Sequence, residues 1–196
     1  HTYDRLEQMW NIARMADSDL KTINDNVLAA IVRITGSPYG FYGALSDDER
    51  LVKMYSWSEN VMRDCNVTGM QKEYTVDECG IWVESIRQRR EIIINDYSVQ
   101  HPAKKGYPEG HVSITRFVTV PVFSGGKIVS IAGVANRETD YSEKDVTILT
   151  AFLDNVQIII DRKKDEDEIK ALLEQKEMLL REVHHRIKNN MNTVAG

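Results

Sequence analysis

The chain has 196 residues, of which 42% are hydrophobic and 28% charged, and this composition is typical of a globular protein and not of a disordered one. A formal net charge of -5 argues against a nucleic-acid binder, and two cysteines exclude a disulfide-rich secreted scaffold. No apolar run is long enough to span a bilayer, so we expect no membrane contact and a cytoplasmic location. The chain opens on His1 and not on Met, and we therefore expect a piece of a longer protein.

The first third of the sequence predicts helix followed by a β-hairpin. Apolar residues recur at helical spacing from residue 4 to about 34, and Asp17, Ser18 and Asp19 interrupt them in the manner of a cap for a second helix. Two predicted strands follow, Tyr39–Leu45 and Leu51–Trp57, and the short polar turn between them predicts that they pair as a hairpin.

The central part of the sequence predicts a mixed α+β domain. Residues 60–79 are polar and are interpreted as irregular. The elements that follow are, in order, a short amphipathic helix at 80–90, a β-branched strand at Ile92–Ile94, a long loop at 95–115 and a Gly-rich hairpin of two strands at 116–123 and 127–136. A loop of that length in a compact domain is usually functional, and it is where we look for site residues.

A helical pattern begins at Tyr141 and continues almost to the end of the chain. Ser142 and Asp145 have the spacing of a capping box, and neither Gly nor Pro interrupts the next fifty or so residues. Because a periodic pattern of this length exceeds that of an ordinary globular helix, it predicts a coiled coil. We therefore expect a homodimer through the C-terminal helix.

The sharpest local motif lies in this C-terminal helix around His185. That residue is two positions past the apolar Val183, which puts it about 200° around the helix and away from the apolar seam. An exposed neutral imidazole can accept a phosphoryl group at a ring nitrogen, and Glu182 can hold the other N–H. Arg186 and Lys188 can offset the charge of the phosphoryl group.

The run from His185 to Asn190 resembles, residue by residue, the phosphoacceptor motif of the second family of histidine-kinase dimerisation domains, His-Arg-hydrophobic-Lys-Asn-Asn. The resemblance implies that His185, and not His184, receives phosphate from ATP and passes it to the receiver domain of a response regulator. It adds Asn189 to the predicted phosphotransfer site. The chain ends a few residues past the motif and has no Gly-rich phosphate loop, so we expect ATP to bind only the full-length protein and this part alone to be inactive.

Residues 17 to about 162 resemble a GAF domain, the small-molecule sensor module common in such kinases. The stretches that carry the resemblance are 89–96, 118–122, 125–127 and 132–136, together with Arg137, Tyr141, Ser142 and Asp145. The resemblance implies an α+β fold, with an antiparallel sheet of five or six strands, helices packed on one face and a ligand pocket on the other. The predicted domains are an N-terminal linker helix at 1–16, a GAF-like sensor domain at 17–162, and a signalling coiled coil with the start of the dimerisation domain at 163–196.

The resemblance also implies a small-molecule ligand. The candidate binding residues are Cys65, Trp82, Asp96, His111 and Arg116. Haem is one candidate cofactor, because His111 lies in a loop just before a strand and can serve as the axial ligand of the iron, while Cys65 can tether or ligate it. A Cys-x-x-Cys-His attachment motif is absent from the sequence. The aromatic residues Trp57, Tyr97 and Phe117 are interpreted as core and not as ligand-stacking residues.

Other residues leave three further functions open. A cyclic nucleotide or another anion would find positive charge at Arg116 and at the pair Lys104 and Lys105. A thiol reductase acting on methionine sulfoxide would use Cys65 and Cys79, since some stand-alone GAF proteins reduce methionine sulfoxide with cysteines in these loops. A stand-alone ligand-binding and dimerisation module would carry the paired histidines without phosphotransfer.

Overall fold

The computed structural model describes residues 18–64, 73–106 and 109–194. The predicted linker helix at 1–16 and the candidate Cys65 lie outside these ranges. The chain divides into two compact units, one up to Ile158 and one from Ile159 onwards, and each is described by itself.

The first unit is built on a single six-stranded sheet. Its strands are β1 (Tyr39–Leu45), β2 (Leu51–Trp57), β3 (Glu73–Thr75), β4 (Ile92–Ile94), β5 (Phe117–Ser124) and β6 (Lys127–Ala135). They are antiparallel throughout, in the order β3-β2-β1-β6-β5-β4. The two predicted hairpins are β1–β2 and β5–β6, and the pairing of β1 with β6 joins them. The predicted α+β fold with an antiparallel sheet is confirmed.

Among the residues that the structure describes, four helices accompany the sheet. They are α1 (Leu20–Thr35), α2 (Glu59–Asp64), α3 (Glu84–Gln88) and α4 (Glu143–Val194), with 3-10 turns at Val76–Glu78 and Ile81–Val83. Helix α1 begins at the predicted cap, because the Asp19 carboxylate accepts a hydrogen bond from the Thr22 N–H at 2.8 Å. It ends at Gly36, whose φ of 62° is a left-handed conformation that glycine adopts at little cost.

Helix α1 packs on one face of the sheet, against β1, β2 and β6. Its fully buried residues include Ile23, Val27 and Ile31, which follow helical spacing. Each aliphatic side chain buried in this way contributes about 1.5–3 kcal/mol, and this stripe therefore holds the helix on the sheet. Gly40 in β1 permits the close approach, because a Cβ there would lie 2.7 Å from Cγ2 of Val32.

The segment 76–88 covers part of the opposite face. A buried cluster joins Val52 and Met54 of β2 to Val83 and Ile86 of this segment. The segment is also held by the Arg87 guanidinium, which donates hydrogen bonds to the backbone carbonyls of residues 76 and 79 at 2.6 and 2.7 Å. The rest of this face is left for a cavity.

The interpretation of residues 60–79 as irregular is wrong, because short elements lie in that range. Helix α2 continues to Asp64, and β3 pairs with the edge of β2, with Thr75 opposite Leu51. A strand of three residues shows no readable alternation, so its pairing with β2 decides its conformation. The predicted helix at 80–90 is in fact a 3-10 turn followed by the short α3.

Helix α4 begins with the predicted capping box. The Ser142 hydroxyl accepts a hydrogen bond from the Asp145 N–H at 3.3 Å, and the Asp145 carboxylate accepts one from the Ser142 N–H at 2.8 Å. In the part of the helix that belongs to the first unit, apolar residues at helical spacing are buried: Val146, Leu149, Phe152 and Val156.

The second unit is the continuation of α4, and its side chains from 164 to 189 are exposed. Large apolar side chains are among them: Ile169, Leu172, Leu173, Leu179, Leu180, Val183 and Ile187. Ion pairs four residues apart, such as Arg162 with Glu166, support the helix. Within the described ranges, no helix is both long enough and apolar enough to cross a membrane.

Candidate ligand pocket and phosphoacceptor helix

A cavity of about 230 Å³ opens on the sheet face opposite α1. Its aromatic walls are Tyr39, Phe41, Trp57, Tyr74, Trp82, Tyr97 and Phe117, and smaller apolar residues complete them. The volume lies just below the ~300–1,000 Å³ of sites for drug-sized ligands, so the cavity suits a smaller molecule. Walls rich in aromatic rings favour a ligand with a flat apolar surface.

The rings are positioned by strand register and by contact with one another. Phe41 and Trp57 are directly opposite each other on β1 and β2, and their ring centroids are 5.9 Å apart. Trp82 comes from the segment 76–88 and stands edge-on to Phe41 and to Tyr74, at 5.5 and 5.4 Å. These T-shaped contacts are favourable geometries for aromatic pairs and they restrict the side-chain rotamers of the wall.

Gly133 makes room for this arrangement on the neighbouring strand. It pairs with Phe41 across β1 and β6, and a Cβ at Gly133 would lie 2.2 Å from Cε1 of the Phe41 ring. The ring therefore lies over a residue that has no side chain. Any larger residue at position 133 would push Phe41 towards the cavity or out of its contact with Trp82.

His111 is one of the predicted ligand-binding residues that the structure places in the cavity wall, and it is half-buried. Its Nδ1 lies 2.7 Å from the backbone carbonyl oxygen of Val112. A carbonyl oxygen only accepts, so Nδ1 carries the proton and the lone pair of the neutral ring is on Nε2. Among the described residues, no group of three or more His, Cys, Asp or Glu could hold a metal ion, so a metal here would depend on this imidazole.

Trp82 also lies in the cavity wall, whereas Asp96 and Arg116 are not among the described lining residues. The Asp96 carboxylate accepts hydrogen bonds from the backbone N–H and the hydroxyl of Ser98, and these bonds lower its pKa. Arg116 donates from Nε to the Asp140 carboxylate at 2.7 Å. Both predicted binding residues are thus engaged in local structure outside the cavity.

The sequence does not assign six of the seven aromatic wall residues to the site, and it misassigns three of them. Trp57, Tyr97 and Phe117 are interpreted above as core, yet all three line the cavity. Trp57 and Tyr97 are only half-buried, and Phe117 is 5% exposed. An aromatic residue facing the core and one facing a pocket follow the same alternation along a strand, so the sequence carries no signal that separates them.

Cys79 is buried at 7% exposure and belongs to the apolar cluster beneath the 76–88 segment. Burial raises the pKa of its thiol to about 11, although Arg87 and Lys105 lower it in part. At neutral pH such a thiol stays protonated, and the thiolate is the reactive form. The environment is that of an inert structural cysteine.

The loop between β4 and β5, which carries several cavity residues, is hydrogen-bonded to the connection between β6 and α4. The Asn95 side chain accepts from the Tyr141 N–H at 2.7 Å and donates to its carbonyl at 2.9 Å. The Asn136 side chain accepts from the Thr115 N–H at 2.8 Å and donates to the carbonyl of Ser113 at 2.7 Å. These bonds connect the rim of the cavity to the segment that starts α4.

The predicted phosphoacceptor motif lies on the described part of α4, with the His185 side chain exposed. The Glu182 carboxylate, which we expected to orient His185, pairs with Arg186 at 2.5 Å. Lys188 and Asn189 are exposed on the same helix. The His185 imidazole is therefore accessible to solvent, and the Arg186 guanidinium is paired with the Glu182 carboxylate one helical turn earlier.

The family model for the GAF domain matches residues 17–161. This chain belongs to the GAF domain family. A protein named methyl sulfide methyltransferase-associated sensor, from Methanosarcina acetivorans, is 40% identical to it over 167 residues. The alignment covers 85% of this chain and 17% of that relative, so the chain spans a small part of the relative's length.

Solved GAF structures share the fold of this chain. A GAF domain of a Coxiella burnetii phosphoenolpyruvate-protein phosphotransferase has a TM-score of 0.65 at 13% identity, covering 85% of this chain and 98% of that one. The phycoerythrobilin-bound GAF domain of a cyanobacterial phytochrome has a TM-score of 0.62 at 12% identity, covering 83% and 97%. A free methionine-R-sulfoxide reductase from Neisseria meningitidis reaches 0.57 at 10% identity, covering 81% and 87%. At these identities the likeness shows the GAF fold alone.

Proposed function

We propose that this chain is the sensory part of a two-component histidine kinase, in which a small ligand in the GAF cavity controls phosphorylation of His185. One observation supports this most strongly: α4 continues without a break from its capping box at Ser142 to the exposed His185. A continuous helix can pass a change in packing at one end to the other. The relative from Methanosarcina acetivorans is itself named a sensor.

The chemistry assigned to His185 is attack of a neutral ring nitrogen on the terminal phosphorus of ATP. The nitrogen–phosphorus bond forms as the bond to the leaving ADP breaks, and the phosphoryl group then passes to an aspartate of a response regulator. Arg186 and Lys188 place positive charge near the transferred group, which stabilises its negative oxygens. ATP would be bound by another domain of the full-length protein.

The second unit supports a homodimer as the working state. Its exposed apolar residues, among them Ile169, Leu172, Val183 and Ile187, follow spacings of three and four, with Lys176 at a seam position where an apolar residue would fit best. This spacing is the pattern with which two helices pack in a coiled coil. A second copy of this chain is therefore the proposed partner along this helix.

Phosphorylation of His185 is tested in the full-length protein with radiolabelled ATP, comparing the wild type with His185→Gln and His184→Gln. Both histidines are exposed on the same helix, so the second variant controls for any effect of losing an imidazole there. We expect acid-labile label in the wild type and in His184→Gln, and a loss of at least tenfold in His185→Gln. Label that persists in His185→Gln would contradict the assignment of His185, and a wild type that takes up no label would favour a stand-alone ligand-binding module.

Haem is the second candidate for the cavity, because His111 contributes a half-buried imidazole to aromatic walls. A single imidazole in an apolar pocket is the donor set of a five-coordinate haem, and the group would supply gas or redox sensing when bound. His111 would hold the iron, and Phe41, Trp57 and Trp82 would contact the macrocycle. The cavity of about 230 Å³ is small for a group as large as haem, so the aromatic side chains of its wall would have to move apart to admit it.

An absorption spectrum after haem addition tests this candidate, with His111→Ala beside His101→Ala. His101 is a matched control because it is a half-buried loop histidine that is not among the described lining residues. Haem ligation predicts a Soret band in the wild type and in His101→Ala that shifts or disappears in His111→Ala. If the wild type shows no Soret band, the haem candidate is wrong and the small-ligand form of the proposal remains.

The thiol-reductase alternative is disfavoured by the environment of Cys79. That thiol is buried, its pKa is raised, and it is not among the described residues that line the cavity. A nucleophilic cysteine needs both a populated thiolate and access to its substrate. The structural likeness to methionine sulfoxide reductases thus carries no catalytic assignment for this residue.

A further inference from the structure

The charge of the cavity wall selects the kind of ligand. Among the described lining residues none is Asp or Glu, and the side chain that is permanently charged at neutral pH is Lys105. Because Lys105 is also exposed, it stands where the cavity meets solvent. The wall therefore offers aromatic surface within and one positive charge at its mouth.

A hydrogen bond holds the side chain of Lys105 in this place. Its Nζ donates a hydrogen bond to the backbone carbonyl of Asp77 at 3.0 Å, which accounts for one of the three donors of the ammonium group. Its backbone also lies close to Gly80, another wall residue, since a Cβ at Gly80 would be 3.7 Å from the Lys105 nitrogen. The acidic side chains of Asp77 and Glu78 are exposed nearby but do not belong to the described lining.

We propose that this cavity selects a small aromatic acid: a flat ring of one or two cycles that bears a carboxylate or an equivalent anion. This deepens the proposed function and rests on its small-ligand form. The ring stacks among Phe41, Trp57 and Trp82, and the anion meets the Lys105 ammonium. Aromatic walls by themselves also attract cations, but a cationic ligand would meet the like charge of Lys105 without a lining carboxylate to offset it.

Three probes that share one ring and differ in charge test this selection: phenylacetate, phenylacetamide and benzyltrimethylammonium. Binding is followed by NMR through the indole N–H signals of Trp57 and Trp82, which line the cavity. We expect phenylacetate to bind about threefold to fivefold more tightly than the amide at low salt, because a solvent-exposed ion pair contributes modestly. The ammonium probe is expected to bind more weakly than either, and added salt should reduce the preference.

Two substitutions of Lys105 separate its charge from its structural contact. Lys105→Gln removes the charge but keeps a donor for the Asp77 carbonyl, and Lys105→Met removes both. Both should reduce the preference for phenylacetate to below twofold. The exposed Lys21 on α1 provides the control, since Lys21→Met makes the same change in net charge away from the cavity and should keep the preference.

Equal affinities for the three probes, a preference that survives in Lys105→Gln, or the absence of any indole shift would each overturn the inference. None of these outcomes affects the His185 experiment, which measures phosphate transfer without an added ligand. The binding experiment and the phosphorylation experiment therefore distinguish a failure of the charge preference from a failure of the kinase proposal.

Discussion

At the scale of single residues, the shape of the cavity depends on Gly133 lying beneath Phe41. The ring is also fixed from the sides by Trp57 and Trp82, so it has little freedom to move aside. We expect Gly133→Ala to lower the free energy of unfolding by about 1–3 kcal/mol, the usual cost of overpacking. Urea unfolding measures this change. Ligand binding should weaken as well, because the displaced ring enters the cavity.

The control for this prediction removes the ring that the new methyl group would meet. In a Phe41→Ala background the added Cβ has space, so Gly133→Ala should cost less than about 0.5 kcal/mol there. The coupling between the two substitutions then locates the strain at this contact. An equal cost in both backgrounds would mean that position 133 requires glycine for another reason.

At the scale of the elements, the start of α4 is stabilised by an ion pair between Arg137 and Asp145. The two terminal nitrogens of the Arg137 guanidinium each lie 2.9 Å from one oxygen of the Asp145 carboxylate. The Ser142 hydroxyl and N–H also donate hydrogen bonds to this carboxylate. The Arg137 guanidinium, with the Ser142 donors, holds the pKa of Asp145 far below its usual range. Asp145→Asn should lower the free energy of unfolding by about 1–3 kcal/mol at pH 7.

The pH dependence of this cost follows from the lowered pKa of Asp145. A carboxylate with a lower pKa in the folded state stabilises fully above its unfolded value of about 3.9, and this contribution declines as the pH falls towards the folded value. The stability difference between wild type and Asp145→Asn, measured by urea unfolding, should therefore shrink between pH 5 and pH 3. Asp140→Asn is the control, because Asp140 is 68% exposed in its pair with Arg116 and should change stability by less than about 1 kcal/mol. A constant difference across this pH range would contradict the assignment.

At the scale of the whole molecule, the features that the sequence predicts correctly are the helix caps and hairpins, whose interacting residues are near one another in the sequence. The cap at Asp19 and the capping box of Ser142 and Asp145 join residues three positions apart, and the strands of each hairpin are adjacent in the sequence and joined by a short turn. The same holds for the long periodic pattern of α4. Hydrogen-bond geometry and side-chain period determine such features without reference to the rest of the chain.

The composition of the cavity was predicted only in part. Trp82 and His111 lie in its wall, whereas Asp96, one residue before the wall residue Tyr97, does not. Neighbouring residues in a loop point in different directions, and the direction is decided by distant contacts such as that of the Tyr97 ring with Phe117 at 6.2 Å. The edge strand β3 was missed for a similar reason, since its three residues become a strand only by pairing with β2.

The amino-acid sequence by itself determined the two hairpins, the helix caps, the GAF resemblance and the position of His185 on a long helix, because each is encoded in short-range patterns. Tertiary structure alone decided which rings form the cavity, that Gly133 lies under Phe41, that Lys105 stands at the mouth and that Cys79 is buried. These features join residues from β1 to β6, and only the packing of the sheet brings such distant positions within contact distance.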